Sequence, residues 1–185
     1  MTAQIERRLL DGHFTTQGRK LVGHAARFST PARIGSDFTE IVAPGAFKRS
    51  LANGADIRAF IDHDQTRILG RTKSGTLRLT EDEIGLRFEL DVPDTQPGRD
   101  ILALAERNDL SGMSFGFRVA SSGERWNSAR TQRTLNDVEL IEISIISGGF
   151  PAYDGTTVSA RSGGGLVAQS ALARRAVALK LRGLQ

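Results

Sequence analysis

Alternation of apolar and polar positions with a period of two dominates this chain, in short runs broken by turn residues. Residues 19–28 alternate well enough to form a strand, and residues 29–37 read as a loop carrying Pro31, Gly35 and Ser36. Residues 56–63 place Ile57, Ala59, Ile61 and His63 on one strand face. Runs at 67–72, 76–80 and 85–92 form a meander joined by turns at Ser74-Gly75 and Asp82-Glu83. Further strands are expected at 111–119, 131–135 and 138–147, with a polar hairpin at 121–127. Helical signals are fewer. Pro44 opens and Gly54 closes a short helix over 43–53. The step at 95–98 opens a second over 99–107, with Ile101, Leu102 and Ala105 on its apolar side. Many short strands with two short helices predict a β-rich α+β fold, arranged as a barrel or a sandwich.

Composition refines this picture mainly at the ends. Residues 1–18, punctuated by Gly12 and Gly18, read as a lead-in or edge strand. After Tyr153 the chain changes character: Ser162-Gly163-Gly164-Gly165 is a flexible hinge, and 166–184 is an Ala/Leu-rich helix with scattered arginines. The net charge is +4, but from Ala160 onward there are five basic residues (Arg161, Arg174, Arg175, Lys180 and Arg182) and no acidic ones. The first 159 residues therefore carry 20 basic and 21 acidic side chains, and the basicity belongs to the tail. That argues against the folded body as a nucleic-acid-binding surface. With no cysteine and three scattered histidines, neither disulfides, zinc thiolates nor other transition-metal sites are expected, and no phosphate- or dinucleotide-binding glycine motif calls for a cofactor. No run approaches the roughly 20 apolar residues of a membrane span, and residues 1–11 lack a signal-peptide core. A soluble, intracellular chain is the expectation.

Three positions carry candidate chemistry. His63 ends an apolar strand and precedes Asp64; it reads either as a general base, titrating near neutrality, or as a structural histidine bonded at a strand end. His13 and His24 are poorer candidates, one near the terminus and one beside Gly23. In 112–119, Met113, Phe115, Phe117 and Val119 share a core face, leaving Ser114 and Gly116 on the other, where glycine makes room for a ligand or another backbone. Ser114 is a nucleophile if a base lies within reach, and otherwise a small residue under a neighbouring strand. In 138–147 strict alternation groups Glu139, Ile141, Ile143, Ile145 and Ser147 against Leu140, Glu142, Ser144 and Ile146. A carboxylate among isoleucines requires a partner; an imidazole N–H and an arginine serve equally well. Ser144 is a rival nucleophile. Asp91, Asp94 and Asp100 read as strand-end and helix N-terminal residues, and Trp126 as a surface contact.

The order of these pieces resembles the tailed-phage prohead maturation protease family. The resemblance runs over about residues 20–160 and rests on five blocks. They are Gly23-His24-Ala25-Ala26-Arg27-Phe28 followed by Ile41-Val42-Ala43-Pro44-Gly45-Ala46-Phe47; Phe60-Ile61-Asp62-His63-Asp64 with Leu69-Gly70; Pro97-Gly98-Arg99-Asp100; Leu110-Ser111-Gly112-Met113-Ser114-Phe115-Gly116-Phe117; and Leu140-Ile141-Glu142-Ile143-Ser144 with Pro151-Ala152-Tyr153. It implies a protease domain over 19–160, related in fold to the herpesvirus assemblins: a closed or nearly closed β-barrel surrounded by short helices, here with a helical tail at 161–185. It implies a serine endopeptidase that cuts scaffold and capsid-protein extensions inside the procapsid, in the host cytoplasm, and trims itself. Carried across, His63 becomes the base, Ser114 the nucleophile and Glu142 the third member, where assemblins use a second histidine. The Gly148-Gly149-Phe150 step departs from the expected shorter polar step, and its backbone N–H groups are candidates for an oxyanion hole. The major capsid protein or its scaffold extension is the implied substrate, and a homodimer follows by analogy with assemblins. The alternatives are a non-enzymatic assembly or scaffold β-barrel in which these residues are structural, and a nucleic-acid-binding barrel driven by the basic tail.

Overall fold

The structure, a computed structural model, describes residues 4–11 and 15–148. His13, the Gly149-Phe150-Pro151 step and the hinge and tail at 161–185 lie outside the described residues. In chain order the elements are β1 (Glu6–Asp11), β2 (Thr15–Gln17), β3 (Lys20–Arg27), β4 (Ala32–Ile34), β5 (Phe38–Val42), α1 (Lys48–Ala52), β6 (Arg58–Ile61) and β7 (Asp64–Arg71). They continue with β8 (Leu77–Glu81), β9 (Gly85–Asp91), α2 (Gln96–Glu106), β10 (Gly112–Val119), β11 (Glu124–Trp126), β12 (Gln132–Leu135) and β13 (Val138–Ile146).

The strands form three sheets: β1-β10-β13-β6-β7, β11-β12-β5-β4 and β2-β3-β9-β8. Pairing is antiparallel except for β13 with β6 and β12 with β5. Among the described residues no sheet closes on itself, so the β-rich α+β class stands while the ladders do not draw a closed barrel. Strands β10 and β7 of the first sheet pack on β3 and β9 of the third, and the interior between them is one apolar cluster. Its aromatic spine runs Phe28, Phe47, Phe115, Phe117, with successive ring centroids 5–6 Å apart (6.2, 5.6 and 5.2 Å).

The helices differ from expectation in one respect. Helix α2 begins earlier than residue 99, because Thr95 caps it by accepting from the Gly98 N–H. Gly98 is required there, since a Cβ would lie 2.2 Å from the Pro93 carbonyl oxygen. Helix α1 does not reach back to Pro44: Gly45 has φ 90°, a left-handed conformation that no helix contains, and regular structure starts only at Lys48. Two strands escaped the alternation pattern: β4 lies inside the supposed loop at 29–37, and β5 follows it.

The second sheet is fastened to the first by buried charge. Arg8 of β1 donates to both oxygens of Glu40 on β5, at 2.6 and 2.9 Å, and Arg133 of β12 reaches Glu40 at 3.0 Å. Glu6 and Glu124 complete the cluster by accepting from Arg133, and Glu6 also accepts from Arg8. Trp126, read as a surface contact, instead packs edge-on against Phe38 at 4.8 Å, with the Arg133 guanidinium over its ring.

Candidate functional site

The site lies on the face of the five-stranded sheet that turns away from the aromatic spine, and a bulge in β13 creates it. Gly116 pairs with Glu142 and Phe117 with Leu140, so Ile141 has no partner on β10. The extra residue reverses the inward and outward sense of the strand. Leu140, Ile143 and Ile145 all enter the core, while Glu142 and Ser144 face the other way. The strict alternation that grouped Leu140 with Glu142 is thereby corrected. Across the ladder Ser114 is the direct partner of Ser144, so Ser114, Gly116, Glu142 and Ser144 share one patch.

His63 reaches this patch by a different route from the one its spacing predicts. Strand β6 ends at Ile61, and Asp62 and His63 form a two-residue turn into β7 with φ of 52° and 61°. Two successive left-handed residues are the signature of the tight hairpin turn that matches strand twist, and Asp and His tolerate that region better than most. His63 therefore does not share the face of Ala59 and Ile61, which are core residues. The turn is stapled to the end of β13. The Asp62 N–H donates to the Ile145 carbonyl at 2.9 Å, and the Asp62 carboxylate accepts from the Ser147 N–H at 2.8 Å and the Ser147 hydroxyl at 2.5 Å.

So held, His63 Nδ1 lies 2.7 Å from Glu142 Oε1. An ionised carboxylate only accepts, so Nδ1 is the donor, and in the neutral imidazole the lone pair then lies on Nε2. Glu142 Oε2 accepts from the Ser144 hydroxyl at 2.6 Å, and Arg7 Nε of β1 lies 3.3 Å from Oε1. Both partners weighed for this carboxylate, the imidazole and an arginine, are thus present. Burial opposes ionisation of Glu142, yet the hydrogen bonds from His63 and Ser144 and the nearby Arg7 charge outweigh it and hold its pKa below the ordinary carboxylate value. Beside the pair a cavity of about 160 Å³ is lined by Ile5, Arg7, Arg58, Phe60, His63 and Ile141, among others.

Ser114 is 2% exposed and Ser144 is fully buried. Among the described residues the Ser114 hydroxyl is not hydrogen-bonded to His63; the serine that touches the carboxylate is Ser144. His24 is occupied elsewhere, with Nε2 2.9 Å from Asp82. Gly148 ends the described segment, exposed, so the glycine-rich step is represented here only by its first residue. Among the described residues no group of three or more His, Asp or Glu side chains converges to hold a metal ion. Arg7 and Asp62 had no role assigned from the sequence. The only trace of Asp62's part is a polar Asp-His pair between two apolar runs, which is turn chemistry; nothing local marks Arg7.

Gly116 is a further requirement of this geometry. A Cβ at 116 would lie 2.6 Å from Glu142 Oε1 and 3.1 Å from Cδ, so any side chain displaces the carboxylate from His63. Gly116→Ala should lower any activity that depends on the pair by on the order of 100-fold, the usual cost of a misplacement near 1 Å; kcat/KM read beside a melting curve separates this from unfolding. Acid should also act through this region. Glu142 and Glu6 both have folded-state pKa values below their ordinary ones; for Glu6 burial is the larger opposing effect, and Arg133 and Arg8 overcome it. Each contributes stability in full above the unfolded value and loses it as pH falls through the folded one. The melting temperature should hold between about pH 5 and 7 and fall steeply below about pH 4.

Comparison with known proteins bears on the family and the fold. The family model for the caudovirus prohead serine protease matches residues 4–167. A curated relative, the prohead protease of Enterobacteria phage HK97, is 30% identical over 154 residues, covering 80% of this chain and 63% of that protein. The chain thus spans a little under two thirds of that relative's length. In fold, the bacteriophage T4 capsid assembly protease superposes with a TM-score of 0.52 at 9% identity, over 80% of this chain and all of that one. The order of blocks, the sheet architecture and the family match converge, and the chain belongs to the caudovirus prohead serine protease family.

Proposed function

We propose that this chain is a serine endopeptidase that cleaves scaffold and capsid-protein extensions as procapsids mature, with Ser114 as nucleophile, His63 as base and Glu142 as the group that orients the base. The observation that carries the reading is the 2.7 Å contact of His63 Nδ1 with a buried carboxylate, on the sheet face that Ser114 shares. In the reaction His63 Nε2 takes the Ser114 hydroxyl proton as the oxygen attacks the scissile carbonyl, and the imidazolium gives that proton to the leaving amine. Water then repeats the sequence on the acyl-enzyme, His63 again serving as base. Glu142 keeps the proton on Nδ1 and stabilises the imidazolium. Backbone N–H groups of the step at 148–150 are the proposed oxyanion donors.

The wider setting belongs to the same reading: action within the assembling procapsid in the host cytoplasm, trimming of its own chain, and a homodimer as one assembly state. The hinge and tail at 161–185 would tether the enzyme to scaffold or shell, or be removed by self-cleavage. Burial of Ser114 favours the alternative, a non-enzymatic assembly module, because a nucleophile must meet its substrate. Under the protease reading the face above Ser114 opens when substrate arrives. Wild type and Ser114→Ala, each incubated with the cognate capsid protein and followed by intact mass, decide between them. Trimming by wild type alone supports the protease. Equal trimming by both assigns the cut to another nucleophile such as Ser144 or to a host enzyme, and none by either under assembly conditions moves the structural reading ahead.

A further inference from the structure

Two N–H donors converge on one oxygen. His63 Nδ1 and Arg7 Nε both address Glu142 Oε1, at 2.7 and 3.3 Å, while Ser144 occupies Oε2. Register brings Arg7 there: it is the β1 partner of Gly116, and Gly116 is the β10 partner of Glu142. The guanidinium thus reaches across β10 over a residue that has no side chain, and a Cβ at that position would press against Oε1. The next residue, Arg8, turns to the opposite face and anchors β1 to the buried Glu40. Consecutive arginines therefore divide the work, one fastening the strand and one completing the acidic centre.

The geometry points to Arg7 as a positioning residue that holds Glu142 Oε1 toward His63 and offsets part of its negative charge, so that the imidazole faces less negative charge than a lone carboxylate would present. This rests on His63 acting as the base. The low pKa of Glu142, to which Arg7 contributes, is consistent with it. Other charged groups near the pair are already committed. Asp56, before β6, is held by Arg71, with Arg58 3.7 Å away. Asp62 in the turn is bound by Ser147 and Arg67. Asp64, opening β7, accepts from Thr66. Strand β10 offers Ser114, Gly116 and, further along, Arg118, which pairs with Glu139 of β13 at 3.5 Å, and β13 adds Ser144. Among the described residues Arg7 is the one arginine or lysine in hydrogen-bond contact with the carboxylate.

The test follows the His63 ring signal by NMR against pH in full-length chain carrying Ser114→Ala, with His63→Asn to assign it. Arg7→Leu should raise the titration midpoint by about half to one pH unit, since removing a cation favours the imidazolium. Arg7→Gln keeps a hydrogen-bonding side chain without charge and should move it likewise, whereas Arg7→Lys should leave it near wild type. In catalytically intact chain the acid limb of kcat/KM should follow. Activity of Arg7→Leu should drop roughly 3- to 10-fold more at about pH 5.5 than at the plateau, which itself falls as Glu142 loses its hold. A midpoint that stays put or falls in both neutral variants, with melting temperatures unchanged, overturns the proposal. Because the titration needs no proteolysis, an inactive wild type would sink the protease reading and still leave the role of Arg7 decided.

Discussion

Ser114→Ala should leave capsid protein uncut over times in which wild type finishes the reaction, a loss on the order of 10⁴-fold or more. The magnitude follows from chemistry. Without the hydroxyl no acyl-enzyme forms, and what survives is the modest acceleration from binding and oxyanion stabilisation. The discriminating comparison is Ser144→Ala. Ser144 lies directly opposite Ser114 and its hydroxyl points at Glu142 Oε2 at 2.6 Å. If Ser114 is the nucleophile, Ser144→Ala removes one charge-assisted hydrogen bond from the orienting carboxylate, an interaction of about 1.5–3 kcal/mol, so the loss should stay near 10- to 100-fold. Single-turnover rates with the same peptide rank the two variants. A larger loss at 144 than at 114 would reassign the nucleophile.

The second large effect is on stability. Glu40→Gln should destabilise the fold by about 3–5 kcal/mol, because it leaves Arg8 and Arg133 buried with too little negative charge. Glu40 is 3% exposed and accepts from both guanidiniums, while the remaining acids, Glu6 and Glu124, sit at the cluster's rim. Against a typical total of about 5–15 kcal/mol, this is a substantial fraction, visible as a lower urea midpoint at unchanged slope. The coupling to the site is direct, since Arg8 holds the strand that delivers Arg7. Replacing the trio together, as Arg8→Met, Glu40→Leu and Arg133→Met, should recover much of the loss by removing the unpaired charge. A midpoint for Glu40→Gln within error of wild type would show that the cluster holds nothing.

Much of this architecture was legible in the chain. Period-two alternation located β3, β8, β9, β10 and β13 to within a residue or two, because strands with one face in the core must alternate. The core face of β10 followed in the same way, and with it the placement of Ser114 and Gly116 together on the other face. Strands β4 and β5 were not legible, because β4 is three residues long and β5 alternates around a buried glutamate. A carboxylate in a core position reads as polar whether or not an arginine from a distant strand neutralises it.

The sequence by itself determined the β-rich class, the two helices and the candidate set His63, Ser114 and Glu142, since local alternation, turn residues and the order of five motifs are properties of the chain. Tertiary structure alone decided that His63 meets Glu142, on the sheet face that carries Ser114. The bulge at Ile141 turned Glu142 out of register with Leu140, and two left-handed residues swung His63 off the core face. Strand β1, remote in sequence, supplied Arg7. Each is a matter of register or backbone handedness, fixed by pairing between segments 79 and 135 residues apart in the two contacts that define the site. Interactions at that separation leave no period in the sequence from which they could be read.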